Sequence, residues 1–345
     1  MSFSREYMEV LFHQLRSVKR IEDLACLLQT ETLLLMRLRF DKPYVVFHIK
    51  KPSGKERLIE APAQELKSLL RKLNNYLQSA YFFARSSAAY GFVQQPRNAA
   101  VKRNILTNAR LHCGKHFLLN IDLKDFFHQV TKTRVTAVFH NPPLSLSFEL
   151  SCFLAELTTY NDRLPMGSPT SPALSNFATR ALDEELLTFC RSYHITYSRY
   201  VDDLSFSTHT GMSAKTYYSI QDIIGKQGFR MNMEKIKWMD EADEKIVTGL
   251  VLKKKPEVPQ LFLQQLEQDV ERFRHIMEFS VVTHNGTSKE WVQYFKEYLQ
   301  GKIRFLQMVQ GHRHPDVQRM NDLFSNACNT RSFEESFSWS NFPYC

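Results

Sequence analysis

The chain has 345 residues, 43% apolar and 23% charged, enough for two or three packed domains and unlike a disordered, collagenous or disulfide-stapled protein. No apolar run approaches the roughly 18 residues of a membrane span, and Met1 to Glu9 hold acids where a secretory signal needs an apolar stretch. A soluble cytoplasmic protein with no membrane partner is expected.

Lysine and arginine number 45 against 36 aspartate and glutamate, a net charge of +9. That charge is local. Between Lys50 and Lys115 stand 13 basic residues and three acids (Glu56, Glu60 and Glu65), an excess of ten that carries the whole net charge. A concentrated basic block is the footprint of a polyanion partner, because pairing with phosphates releases condensed counterions. The plainer reading is a solvated basic face. The six cysteines, Cys26, Cys113, Cys152, Cys190, Cys328 and Cys345, form no CxxC pair. That argues against a zinc ribbon and for reduced thiols.

In chain order, residues 5–40 read as helix, with Val10, Leu11, Ile21, Leu24, Leu27 and Leu28 at helical spacing. Tyr44–Ile49, the turn Pro52-Ser53-Gly54 and Arg57-Leu58-Ile59 read as a hairpin. Gln64–Leu77 is an amphipathic helix with Leu66, Leu69, Leu70, Leu73 and Leu77 on one face. Phe117–Ile121 is a buried-strand pattern ending at Asp122, and Asp125–Phe139 then reads as helix. Ser171-Pro172 supplies an N-cap and a first-turn proline for a helix to about Tyr193. Ile195–Thr208 reads as a second hairpin around Val201-Asp202-Asp203, and Lys245–Leu252 as a strand. Beyond Pro259 the chain is helical, with a capping box at Thr287–Glu290 and a helix stop at Gly301. The change from mixed to all-helical composition sets a domain boundary near residue 255.

The chemistry centres on Asp202 and Asp203. Two adjacent acids at a tight turn raise each other's pKa, and a divalent cation removes that penalty. A two-metal site for phosphoryl transfer needs a further carboxylate from another strand. Asp122, at the end of a predicted strand 80 residues earlier, fits that need.

Four segments follow in order: Asn120-Ile-Asp-Leu-Lys-Asp-Phe-Phe127, Leu164-Pro-Met-Gly-Ser-Pro-Thr-Ser-Pro-Ala-Leu-Ser-Asn176, Tyr200-Val-Asp-Asp203 and Gly228-Phe-Arg-Met-Asn-Met-Glu-Lys235. In content and order they resemble the palm of a reverse transcriptase, over about residues 45–255 and more weakly to about 310. The resemblance implies an α+β right-hand polymerase fold. It would comprise an N-terminal helical segment (1–40), fingers with the basic region (41–115), a palm (116–255) and a helical thumb with a tail (256–345).

It also implies roles. Asp122, Asp202, Asp203 and the Leu123 carbonyl would hold two Mg2+ ions, and Lys235 would protonate pyrophosphate. Lys55 and Arg57 would clamp the triphosphate of a dNTP. Leu123, Asp125, Phe126, Phe127, Met166 and Gly167 would line the nucleotide site. Of these, Phe127 matches the residue that excludes a ribose 2′-OH, and Phe126 is expected to pack in the core. Met166 stands where glutamine is usual, and Val201 where alanine is usual.

Asn108-Ala-Arg-Leu-His112 and Val247-Thr248-Gly249 fit the NAxxH and VTG elements of bacterial retron reverse transcriptases. They are read as RNA-binding, together with Lys296, Lys302 and Arg304 among the aromatics Trp291, Tyr294, Tyr298 and Phe305. The retron resemblance implies a cognate structured noncoding RNA, priming from a guanosine 2′-OH and a branched RNA–DNA product. It further implies an effector protein from the same locus, an anti-phage role and a bacterial cytoplasm. Two other readings stand at this point. One is a different bacterial reverse transcriptase, group II intron-like or of another defence class, primed from a 3′ end or a protein. The other is a non-catalytic RNA-binding protein.

Overall fold

The computed structural model describes residues 3–50, 54, 56–96, 98–279 and 286–329, with 278–279 and 286–289 described in backbone alone. The chain divides into two compact units, Met1–Thr248 and Gly249–Cys345.

The first unit opens with α1 (Arg5–Ser17), α2 (Ile21–Leu27) and α3 (Thr32–Asp41). Ser4 caps α1 by accepting the Tyr7 N–H at 3.2 Å. The hairpin β1 (Tyr44–Lys50) and β2 (Glu56–Pro62) pairs in register from Tyr44 opposite Pro62 to Lys50 opposite Glu56. Next, α4 (Gln64–Ala84) buries Leu66, Leu69, Leu70, Leu73 and Leu77. It runs seven residues past the predicted end at Leu77. The continuation buries Gln78 to Phe82 on all sides, so no amphipathic period marks it.

After α5 (Ile105–Arg110) come β3 (Phe117–Asp122), α6 (Lys132–His140), α7 (Phe148–Thr158), α8 (Ser171–Ala178) and α9 (Arg180–Ser192). They are followed by β4 (Thr196–Tyr200), β5 (Asp203–Thr208), α10 (Ala214–Lys226), β6 (Lys237–Met239) and β7 (Ile246–Val247). The central sheet has the order β4-β5-β3-β6, antiparallel throughout. Its core face carries Leu119, Ile121, Tyr197, Leu204 and Phe206, all buried.

Several expected elements are broken. The helix predicted from Asp125 is a 3-10 turn, Phe126–Gln129, and then α6. Asp125 sits at φ 44, and the Thr131 hydroxyl accepts the Arg134 N–H to start a new helix. The helix predicted from Ser171 to Tyr193 splits at Thr179, whose hydroxyl bonds back to the Ser175 and Asn176 carbonyls at 2.9 and 3.2 Å. That break shifts the helical phase and leaves Ala181 exposed. Ser171 is not the N-cap: it lies inside α8, and its hydroxyl donates to the Pro165 carbonyl at 2.8 Å. The predicted strand Lys245–Leu252 is interrupted at Thr248 and Gly249, both left-handed, with φ 50 and 78.

The second unit holds the short pair β8 (Leu250–Leu252) and β9 (Pro256–Glu257), then α11 (Gln260–Phe279), α12 (Gly286–Gln310) and α13 (Pro315–Asn329). The three helices bury Leu266, Val270, Phe273, Leu299, Leu306, Val317 and Met320. Gly301 does not stop α12, which runs through it to Gln310. An interior glycine costs about 1 kcal/mol, and burial of Leu299, Ile303 and Leu306 around it outweighs that. Thr287 likewise lies inside α12 and does not precede it. Among the described residues no helix is long and apolar enough to cross a membrane. Cys26, Cys113, Cys152, Cys190 and Cys328 are free thiols, and Cys345 lies outside the described residues.

Candidate active site

Antiparallel pairing of β3 with β5 sets Asp122 directly opposite Asp203. The β4–β5 hairpin pairs Tyr200 with Asp203, so its loop is Val201-Asp202. Two-residue hairpin loops favour positive φ, and Val201 adopts φ 63. For a β-branched residue that conformation costs of order 1–3 kcal/mol. Neighbours hold it there. Arg199 Nη1 donates to the Val201 carbonyl at 3.0 Å, and the Leu123 N–H donates to the Asp202 carbonyl at 2.9 Å. Gly91 packs against the turn so closely that a Cβ would lie 2.6 Å from Val201 Cγ2.

The three carboxylates oppose one another. Burial first, then the charges of Asp202 and Asp122, push Asp203 up to about 6. Burial and Asp122 raise Asp202 as well, partly offset by a backbone hydrogen bond, Lys235 and Arg57. Asp122 has both oxygens engaged: Lys235 Nζ donates to Oδ1 at 2.9 Å and Asn232 Nδ2 to Oδ2 at 3.3 Å. Asn232 is held in turn by its N–H bond to the Asp122 carbonyl at 2.7 Å. Among the described residues no three or more His, Cys, Asp or Glu side chains are gathered tightly enough to cage a metal ion. The donor set still fits hard divalent cations: clustered carboxylates whose repulsion a cation relieves, beside strand-end carbonyls.

Of the residues expected to line a nucleotide site, Phe127 is half-buried, with its ring 6.2 Å from Phe92. Phe126, which the sequence placed beside the nucleotide but in the core, is buried 6.0 Å from the Phe229 ring. Asp125 is exposed, and its carbonyl accepts the His128 N–H at 2.9 Å. Arg57 is exposed on β2, and Lys55 lies outside the described residues. The Met166 carbonyl accepts the Glu60 N–H at 2.8 Å, and Glu60 takes two bonds from Arg163 Nη1 at 3.0 and 2.7 Å. Gly167, at φ 140, leaves no room for a side chain: a Cβ would lie 2.8 Å from the Glu60 carbonyl oxygen.

A family model described as "Reverse transcriptase (RNA-dependent DNA polymerase)" matches residues 49–256, and retron reverse transcriptases are among the similar curated proteins. The chain belongs to the retron reverse transcriptases. The retron Ec86 reverse transcriptase of Escherichia coli is 33% identical over 235 residues, 65% of this chain and 68% of its own. The retron Mx65 reverse transcriptase of Myxococcus xanthus is 29% identical over 313 residues, 84% of this chain and 68% of its own. The retron Ec83 reverse transcriptase of Escherichia coli is 28% identical over 232 residues, 64% of this chain and 71% of its own. The fold is the α+β right-hand polymerase fold and the activity that of an RNA-directed DNA polymerase, templated by RNA. The family generally uses divalent metal ions.

Thr248 of the VTG element donates from Oγ1 to the carbonyl of Ile105 at 3.0 Å, at the start of α5, the helix that carries Asn108. Yet Asn108, His112 and Val247, expected to bind RNA, are wholly buried. Burial withholds these side chains from RNA. His112 is clamped between Ser207 Oγ at 2.7 Å and Ser198 Oγ at 2.8 Å, on β5 and β4. Burial drives its pKa down to about 3, so the ring is neutral. Thr248 is half-buried and Gly249 exposed. On α12, Lys302 is spent internally, 2.9 Å from Asp269 and 4.6 Å above the Tyr298 ring. Lys296 is half-buried, while Arg304, Trp291, Tyr294 and Tyr298 are exposed; Phe305 packs 5.4 Å from Phe262.

Sequence reasoning passed over Asn232, Arg199, Asn176 and the Glu60–Arg163 pair. The signal for Arg199 was present: an arginine inside a strand of otherwise buried pattern needs an acid partner, and Asp183 on α9 supplies it.

Proposed function

We propose that this enzyme copies part of a cognate structured noncoding RNA into single-stranded DNA. Synthesis starts from the 2′-OH of a guanosine in that RNA, so the product is a branched RNA–DNA hybrid (msDNA). The observation that carries the chemistry is the meeting of Asp122 and Asp203 across β3 and β5, with Asp202 at the adjoining turn. Likeness to retron reverse transcriptases supports this priming mode.

Asp122, Asp202, Asp203 and the Leu123 carbonyl are the proposed ligands of two Mg2+ ions. When bound, the ions would activate the primer hydroxyl and neutralise the triphosphate. Arg57 grips the triphosphate; its charge is felt at Asp202. Lys235, hydrogen-bonded to Asp122, donates a proton to pyrophosphate. Phe127 closes the space beside the sugar C2′ and so favours dNTPs. The exposed aromatics of α12 and Arg304 stack on and pair with RNA. An effector protein from the same locus, an anti-phage role and a bacterial cytoplasm complete the proposal.

The test is to express the chain with the noncoding RNA of its locus and sequence the 5′ junction of the DNA recovered. DNA linked through a guanosine 2′ oxygen and freed by a debranching enzyme is the expected result. A 5′ end carrying a 3′-primed RNA or a protein overturns it. Asp202→Asn is expected to abolish the DNA and leave the RNA bound.

A further inference from the structure

Phe92 is 41% exposed and adopts φ 56. A bulky aromatic residue in the left-handed region is a backbone outlier, and such strain persists only where the surroundings enforce it. Here they do. Asn176, buried on α8, donates from Nδ2 to the carbonyls of Gly91 and Phe92 at 3.0 and 3.3 Å. Its Oδ1 accepts from Arg199 Nη1 at 3.1 Å, the same nitrogen that holds the Val201 carbonyl of the catalytic turn. Gly91 meets that turn in van der Waals contact. One guanidinium thus fixes both the loop bearing Phe92 and the turn bearing Asp202.

The held ring does not go into the core. It lies 6.2 Å from Phe127, at 40° to it, and keeps a large exposed face. An aromatic side chain kept exposed at the expense of backbone strain, beside the sugar-gating residue and rigidly tied to the metal-binding turn, is built to touch something the turn also holds.

We propose that Phe92 is a second specificity-determining residue for the incoming nucleotide. It extends the wall begun by Phe127 along the sugar and fixes the depth to which a ribose 2′-OH is excluded. This rests on the reading of Phe127 as the sugar gate, and Asn176 is the positioning residue that presents the ring.

The experiment measures kcat/KM for a dNTP and the matching rNTP on one annealed primer–template, with Phe92→Gly, Phe92→Leu and Phe127→Val, and the unfolding midpoint of each. Glycine suits φ 56 better than phenylalanine. Phe92→Gly is therefore expected to keep or raise the midpoint while dNTP/rNTP discrimination falls about tenfold, the scale of losing one apolar contact in a pocket. Phe92→Leu is expected to lose less. If Phe127→Val relaxes discrimination and both Phe92 variants leave it unchanged, the proposal is overturned and the Phe127 gate stands. If Phe127→Val changes nothing in a folded protein, the gate reading fails by itself. A lower midpoint in Phe92→Gly with unchanged discrimination would make Phe92 a packing residue and overturn the proposal.

Discussion

Arg199 and Asp183 form a fully buried ion pair, joined through Arg199 Nε to Asp183 Oδ1 and Nη2 to Oδ2, both at 2.8 Å. Tyr197 Oη donates to the same carboxylate at 2.9 Å. Removing one partner of such a pair leaves an uncompensated charge and costs about 3–5 kcal/mol. Asp183→Ala is expected to lose that much stability in denaturant unfolding and to lose polymerase activity with it, since Arg199 holds the turn bearing Asp202. A variant that unfolds at the wild-type midpoint would contradict this.

Asp203 has the opposite character. Its native pKa of about 6 is raised above the usual carboxylate value of 3.8. The native state therefore holds a proton between those values that the unfolded chain releases, and stability falls as pH rises from about 4 to 6. At neutral pH the ionised carboxylate is a net destabiliser. Asp203 is more than a third exposed, so solvent screening reduces the effect. Asp203→Asn is expected to abolish DNA synthesis yet raise stability by about 1 kcal/mol at pH 8 in EDTA. A midpoint below wild type in EDTA would refute the repulsion.

His112 sets a second pH dependence. Its native pKa of about 3 lies below the ordinary 6.5. Below pH 6.5 the unfolded chain takes up a proton that the native state refuses, so stability is lost as pH falls from 6.5 towards 3. From pH 7 to pH 5 the site contributes a loss of about 2 kcal/mol. His112→Gln cannot titrate, and its unfolding free energy is expected to change that much less over this range. Parallel pH profiles for the two proteins would rule out a neutral buried ring.

On α12 the two basic residues at 302 and 304 separate. Lys302 is paired with Asp269, whereas Arg304 is exposed. Arg304→Ala is expected to lower the salt slope of RNA binding by about one. Lys302→Ala should leave that slope unchanged and reduce stability. The measurement is RNA affinity from 50 to 200 mM salt for each variant, and equal slopes in the two variants would remove the distinction.

β3, β4 and β5 were legible because an apolar run closes on Asp122 and two apolar-alternating arms flank Val201-Asp202-Asp203, and short strands with tight turns leave little freedom of register. Leu119 and Ile121 on β3 and Leu204 and Phe206 on β5 are buried on one face of the sheet, as those patterns require. What escaped was set by tertiary contacts. Asn108 and His112 read as RNA-binding, but two serines more than 80 positions away satisfy His112 inside the protein. The split at Thr179 depends on a hydroxyl choosing a carbonyl within its own helix, which apolar spacing does not report.

The bond from the Glu60 N–H to the Met166 carbonyl, braced by Arg163, gives the β1–β2 hairpin a fulcrum at its base. Arg57 lies three residues out from that fulcrum, an arm of about 10 Å at the rise of a strand. A tilt of about 20° about Glu60 would carry its guanidinium roughly 3–4 Å, the scale of making or losing a phosphate contact. The loop at Met166 and Gly167 packs on that same pivot. A swing of the outer hairpin about Glu60 would therefore move Arg57 and leave Met166 and Gly167 in place.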